Sequence, residues 1–128
     1  MMSEIKTIHT DKAPKAIGPY SQAKVYGGFL FASGQIPADP VSGDIVGDEI
    51  NAQAEQIMKN IGAILEEAGI GFESVVKTTC FLAEMDDFAA FNAVYEKYFV
   101  SKPARSCVAV KKLPKGVLAE VEVIAACE

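Results

Sequence analysis

A chain of 128 residues, half of them hydrophobic, has the size of one domain and enough apolar side chain for a sizeable core. Its apolar runs are strand-sized, so no membrane-spanning helix is expected, and Met1 to Lys6 lacks the apolar centre of a secretory signal. A net charge of −5 argues against nucleic-acid binding as the main role, because that binding draws its affinity from cations that displace counterions. The expectation is a single domain over residues 1–128, in the cytoplasm, without a nucleic-acid or membrane partner. Three cysteines, Cys80, Cys107 and Cys127, are too few and too scattered for a disulfide framework. No Cys-x-x-Cys pair exists and His9 is the only histidine, so neither a metal site nor a serine–histidine–aspartate triad is expected.

In chain order, Glu4 to Thr10 reads as a short strand, and the prolines and glycine between Ala13 and Tyr20 make a loop. Ser21 to Tyr26 and Phe29 to Ser33 read as two strands around the Gly27-Gly28 turn. Asp39-Pro40-Val41-Ser42-Gly43 is a further turn. Ile50, Ala54, Ile57, Ile61, Ile64 and Ala68 recur at spacings of three and four, widened by Met58 and Leu65, and predict a helix that Gly69 stops. Gly62 inside it costs about 1 kcal/mol against alanine, which a close packing contact can justify. Ser74 to Leu82, rich in Val, Thr, Cys and Phe, reads as a strand. Asp86 is expected to cap a second helix carrying Phe88, Phe91, Tyr95, Tyr98 and Phe99 on one face. Two last strands, Arg105 to Val110 and Leu118 to Ala126, are joined through Leu113-Pro114-Lys115-Gly116. The small basic cluster there, Lys111, Lys112 and Lys115, reads as a solvated hairpin tip.

The order βββαβαββ predicts an α+β fold, with both helices on one face of a sheet. In the last strand Ala119, Val121, Val123 and Ala125 can lie under the helices. Leu118, Glu120, Glu122 and Ile124 form a half-charged, half-apolar opposite set that suits cover by another subunit.

Arg105 is the foremost candidate for chemistry, because its planar fork matches a carboxylate in two parallel hydrogen bonds. If the last two strands form a hairpin that pairs Lys112 with Val117, Arg105 faces Ile124, Cys107 faces Glu122 and Ala109 faces Glu120. Guanidinium, thiol and both carboxylates then share one face; an exposed cross-strand ion pair is the competing reading, and a one-residue slip separates them. Asn92 lies on the apolar stripe of the second helix and needs a partner, a loop backbone or a substrate. Tyr20 and Ser33 flank turns from which a side chain can reach over a pocket mouth. Cys107 lacks a base and reads as pocket wall rather than nucleophile. Glu120 and Glu122, two apart on a strand, have a spacing that suits acid–base work, but most such pairs form a solvated or subunit-bridging face.

Ala16-Ile17-Gly18-Pro19-Tyr20-Ser21-Gln22-Ala23, Ser33-Gly34-Gln35-Ile36-Pro37, Asp87-Phe88 with Asn92, Pro103-Ala104-Arg105-Ser106-Cys107 and Glu120-Val121-Glu122-Val123-Ile124-Ala125 resemble the reactive intermediate deaminases, the RidA/YjgF family. The resemblance spans essentially the whole chain, and the Pro-Ala-Arg-Ser strand is its specific part. It implies a chorismate-mutase-like two-layer fold and a homotrimer with sites between subunits. It further implies hydrolysis of 2-imino acids to 2-keto acids and ammonia without a cofactor; these imines and their enamines escape from pyridoxal-phosphate-dependent dehydratases. By resemblance Arg105 binds the substrate carboxylate and Glu120 activates water, while Tyr20, Ser33, Gly34, Asn92 and Cys107 line the pocket. The competing functions are an endoribonuclease or translation inhibitor, and a non-enzymatic trimer that binds small carboxylates or acts as a chaperone.

Overall fold

A computed structural model describes residues 4–128, so Met1 to Ser3 of the N-terminal reading lie outside the described residues. Six strands form one mixed sheet: β1 (Lys6–Ile8), β2 (Ala23–Tyr26), β3 (Phe29–Ala32), β4 (Val75–Leu82), β5 (Ala104–Ala109) and β6 (Ala119–Ala126). Helices α1 (Ile50–Glu67) and α2 (Phe88–Tyr98) come before and after β4, so the chain order is βββαβαββ and the fold is α+β, as the periodicities predict. The spatial order is β1-β2-β3-β6-β4-β5, antiparallel throughout except for the parallel pair β4–β5.

The stripe of α1 sinks into the core: Ala54, Ile57, Met58, Ile61, Ile64 and Leu65 are essentially inaccessible. They meet Ala119, Val121, Val123 and Ala125 of β6, all buried, together with Leu30, Cys80 and Leu82. The helix ends as Gly69 predicts. At φ +79° the glycine turns the chain, its N–H reaches Glu66 O and the N–H of Ile70 reaches Leu65 O, satisfying carbonyls the helix leaves open. Gly62 has the packing reason anticipated for it, since a Cβ there would lie 3.2 Å from the Phe72 ring.

Three buried amides tie the connections to this core. Gln22 accepts from the N–H of Thr10 and donates to the carbonyls of Thr10, Ala13 and Pro14. Asn60 donates to the carbonyls of Ile36 and Ala38, and Gln53 joins Gly47 O to the N–H of Leu118. Loops that cross the sheet ends are thereby fixed in place, because each lost partner would leave a buried polar group unsatisfied.

Two expectations need correction. Asp86 does not cap α2: a 3-10 turn, Met85–Asp87, leads into the helix and no side chain caps its N-terminus. The larger correction concerns the last two strands, which do not form a hairpin. β5 pairs in parallel with β4, Thr78 opposite Arg105 and Cys80 opposite Cys107, and β6 lies between β3 and β4. Leu113 to Gly116 is a connection across β4, turned by Lys115 at φ +57° and Gly116 at φ +67°. The reason is burial. Placed centrally, β6 hides its whole Ala/Val face under α1 and α2, whereas hairpin pairing with edge strand β5 would leave it fewer apolar neighbours.

Candidate active site

Arg105 leaves β5 on the helix side of the sheet, directly beside its ladder partner Thr78. The turn out of α2 sets up that exit: Lys102 takes φ +53° and its N–H bonds Phe99 O, and Pro103 then starts an extended segment. The guanidinium carbon lies 4.6 Å from the centre of the Tyr95 ring and 5.4 Å from that of Phe88, and Nη1 donates to Asn92 Oδ1 at 2.6 Å. Phe88, Asn92 and Tyr95 stand at spacings of four and three on α2, so one helix face supplies all three contacts. Asn92 therefore finds a side-chain partner rather than the loop backbone anticipated as the alternative. Among the described residues no carboxylate pairs with Arg105, the only arginine in the sequence.

Cys107 sits two residues on, half-buried beside Cys80. Burial raises both thiols, that of Cys80 to about 12, with the neighbouring Cys107 as a second cause; for Cys107 the Arg105 charge only partly opposes it. Neither thiol is a ready nucleophile.

Glu120 belongs to a second cluster. β6 alternation turns Val121 under the helices and Glu120 to the open face, opposite Phe81 of β4. A bridge between Gln35 and Val121, with N···O distances of 2.8 and 3.1 Å, holds Gly34 directly against the Glu120 carboxylate. A Cβ on Gly34 would lie 2.0 Å from Oε2, so only glycine leaves room for that group. Burial first, and then the charge of Glu122, raise the Glu120 carboxyl above the ordinary glutamate range. Ser33 is half-buried and donates to Ser21 O at 2.6 Å. Tyr20 is exposed at a cavity of about 590 Å³ that Gly34, Gln35, Ile36, Pro114 and Lys115 also line.

The expected face-sharing of Arg105, Cys107, Glu120 and Glu122 is thus not found within one chain. Arg105, Asn92 and Cys107 gather on the helix side; Glu120 and Glu122 stand on the other, with Gly34 packed against Glu120. Along the sheet Arg105 and Glu120 are also three residue rows apart, about 10 Å. The open face around Glu120 carries exposed Tyr26, Phe29, Phe31 and Val108. His9 is exposed, and its Nε2 lies 3.2 Å from Asp11 Oδ1. Thr78 and Tyr95 were missed as site residues by sequence reading; the signal available was a polar Thr78 at a buried parity of β4, alongside Cys80 and Leu82.

Residues 10–127 match the family described as Endoribonuclease L-PSP. A Lactococcus lactis protein named as a regulator, AldR, is 58% identical over 122 residues, covering 94% of this chain and 97% of its own. The 2-iminobutanoate/2-iminopropanoate deaminase of Salmonella typhimurium is 48% identical over 124 residues, 94% of this chain and 96% of that one. The crystal structure of E. coli TdcF with bound serine has a TM-score of 0.91 at 41% identity, covering 96% of this chain and 99% of that one. No helix among the described residues is long and apolar enough to cross a membrane. Sequence match, relatives and fold agree: the chain belongs to the Endoribonuclease L-PSP family, the RidA/YjgF family that its motifs resemble.

Proposed function

We propose that the protein is a cytoplasmic 2-iminobutanoate/2-iminopropanoate deaminase, acting on reactive products of pyridoxal-phosphate-dependent dehydratases. The observation that carries the reading is Arg105: a guanidinium laid on two aromatic rings, held by Asn92 and, among the described residues, left without a carboxylate partner. Such a fork is prepared for a small carboxylate ligand. The Salmonella relative's name and the serine bound to TdcF support a ligand of that size and chemistry.

The reaction needs little more. A 2-imino acid carries an electrophilic C=N bond. Water adds to its carbon, and the resulting carbinolamine expels ammonia to leave the 2-keto acid. One carboxylate suffices to take a proton from water and return it to nitrogen, and in our reading that group is Glu120. Its raised proton affinity suits the task, since a base works best with a pKa close to the working pH. No metal or organic cofactor is invoked.

Because Arg105 and Glu120 stand on opposite faces, they meet only between copies. We place Arg105, Asn92 and Cys107 of one subunit opposite Tyr20, Ser33, Gly34 and Glu120 of the next, in a closed homotrimer whose contacts cover the exposed aromatic rings of the open face. The test couples the protein to a threonine dehydratase and follows imine decay and keto-acid release. Arg105→Ala should lower kcat/KM at least about 10²-fold, and Arg105→Lys should remain poor because an ammonium lacks the planar fork. Full activity in Arg105→Ala would remove the assignment. Ribonuclease action, the activity in the family's description, is disfavoured by the net charge and by the presence of a single histidine, His9.

A further inference from the structure

We propose that Tyr95, locked by Thr78, is the positioning residue that aims the Arg105 guanidinium. The inference rests on the reading of Arg105 as the carboxylate anchor for its functional weight, but its geometric content stands without it. An arginine at a sheet edge has four side-chain torsions and an exposed position, so left alone it samples many directions. Asn92 restrains one nitrogen only; a single hydrogen bond fixes a point and leaves the plane of the fork free to swing. The plane is set by the ring beneath it. Tyr95 lies closer to the guanidinium carbon than Phe88 does, 4.6 Å against 5.4 Å, and it is the more deeply buried of the two.

What makes Tyr95 a platform rather than a neighbour is how it is held. Its hydroxyl pairs with Thr78 Oγ1 at 2.7 Å, inside the core, where Thr78 is wholly inaccessible. Its ring packs on Phe99 at 4.3 Å between centroids and on Phe91 at 6.0 Å. Thr78 is in turn the ladder partner of Arg105. The contacts close a circuit: β5 carries Arg105, Arg105 lies on Tyr95, Tyr95 bonds Thr78, and Thr78 is hydrogen-bonded backbone to backbone with β5. Strand and helix are thereby registered to each other at the one level where the guanidinium sits. The free edge of the fork, away from Asn92, is the edge left to meet an anion.

The chain holds a single arginine, so its guanidinium gives one Nε–Hε signal in a ¹⁵N NMR spectrum, assigned without further variants. In the wild type that proton should be displaced upfield by the ring beneath it and should be protected from exchange. Tyr95→Leu should return it towards the position of a free arginine side chain, while Tyr95→Phe, which keeps the ring, should leave most of the displacement. In the imine assay Tyr95→Leu should raise KM about tenfold with kcat little changed, since the carboxylate is gripped alike in ground and transition states. Tyr95→Phe should recover most of that loss. A merely structural role would do the reverse: fewer folded molecules lower kcat and leave KM alone. Should Tyr95→Leu not fold, Thr78→Val tests the lock instead, with a partial return of the Nε–Hε signal expected. A wild-type signal already at the free-arginine position, or one that none of these variants moves, overturns the proposal. Upfield displacement that depends on Tyr95, combined with no response to 2-oxobutanoate, would uphold the aiming role and remove the carboxylate reading.

Discussion

Substituting Gly34 by alanine isolates the placement of Glu120 from its chemistry. The added Cβ would stand 2.0 Å from Oε2, 2.9 Å from Cδ and 3.1 Å from Cγ of Glu120. The Gly34 backbone cannot retreat, because the next residue is pinned to Val121 by hydrogen bonds in both directions. The carboxylate must therefore withdraw by about 1.4 Å to reach ordinary van der Waals contact, which means a new rotamer for Glu120. The cost to folding is small, about 0.5–1.5 kcal/mol, since a flexible side chain does the moving. For catalysis a displacement of that size is severe, about 10²-fold in kcat/KM. The assay is the dehydratase-coupled one, run beside a thermal melt and beside Glu120→Gln, which should lose about 10²–10⁴-fold with the fold kept. Wild-type turnover in a well-folded Gly34→Ala protein would refute the assignment of Glu120 as the water-handling group.

Other expectations follow from the same geometry. Glu120 holds its proton more tightly folded than unfolded, so its ionised form destabilises the fold above the folded pKa, and that penalty fades as pH falls through it. Glu120→Gln should consequently melt higher at neutral pH, on the order of 2 °C or less, and equal the wild type near pH 3; a difference that grows on acidification contradicts the sign. Replacing Glu122 by glutamine removes the like charge, so the acidic limb of the pH–rate profile should move to lower pH. Gly62→Ala sets a gain in helix propensity of about 1 kcal/mol against a Cβ held 3.2 Å from a Phe72 ring that is itself wedged by Tyr98 and Phe99. With the ring held between those two neighbours, urea titration should show net destabilisation of about 1 kcal/mol, and stabilisation of that size would show the wedge to be soft.

The helices, the strands and their order were readable because hydrophobic spacing reports which face of an element is buried. It does not report which neighbour an element has. β6 illustrates both halves: Ala119, Val121, Val123 and Ala125 were placed under the helices from alternation alone, yet its partners were not foreseen. Leu113 to Gly116 has the composition of a hairpin turn and serves as a crossover. The mistaken pairing carried Arg105 and Glu120 to a common face, when their real separation is set by the parity of β4 between them. Asn92 was legible as a polar residue in an apolar stripe that needs a partner; that the partner is Arg105 depends on a contact between distant segments. Gly34 was legible through the motif resemblance, and its physical reason, the nearness of Glu120, only through the fold.

In the proposed trimer, two half-sites turned away from each other would make each subunit both donor and acceptor. A chain that has lost Arg105 still offers an intact Glu120, and a chain that has lost Glu120 still offers an intact Arg105. Two inactive preparations, unfolded together and allowed to reassemble at equal amounts, should regain about a quarter of the wild-type sites, those in which each defective chain presents its sound side. Genetics would see this as complementation between alleles of one gene, and dilution would see it as an enzyme that fades when its subunits part.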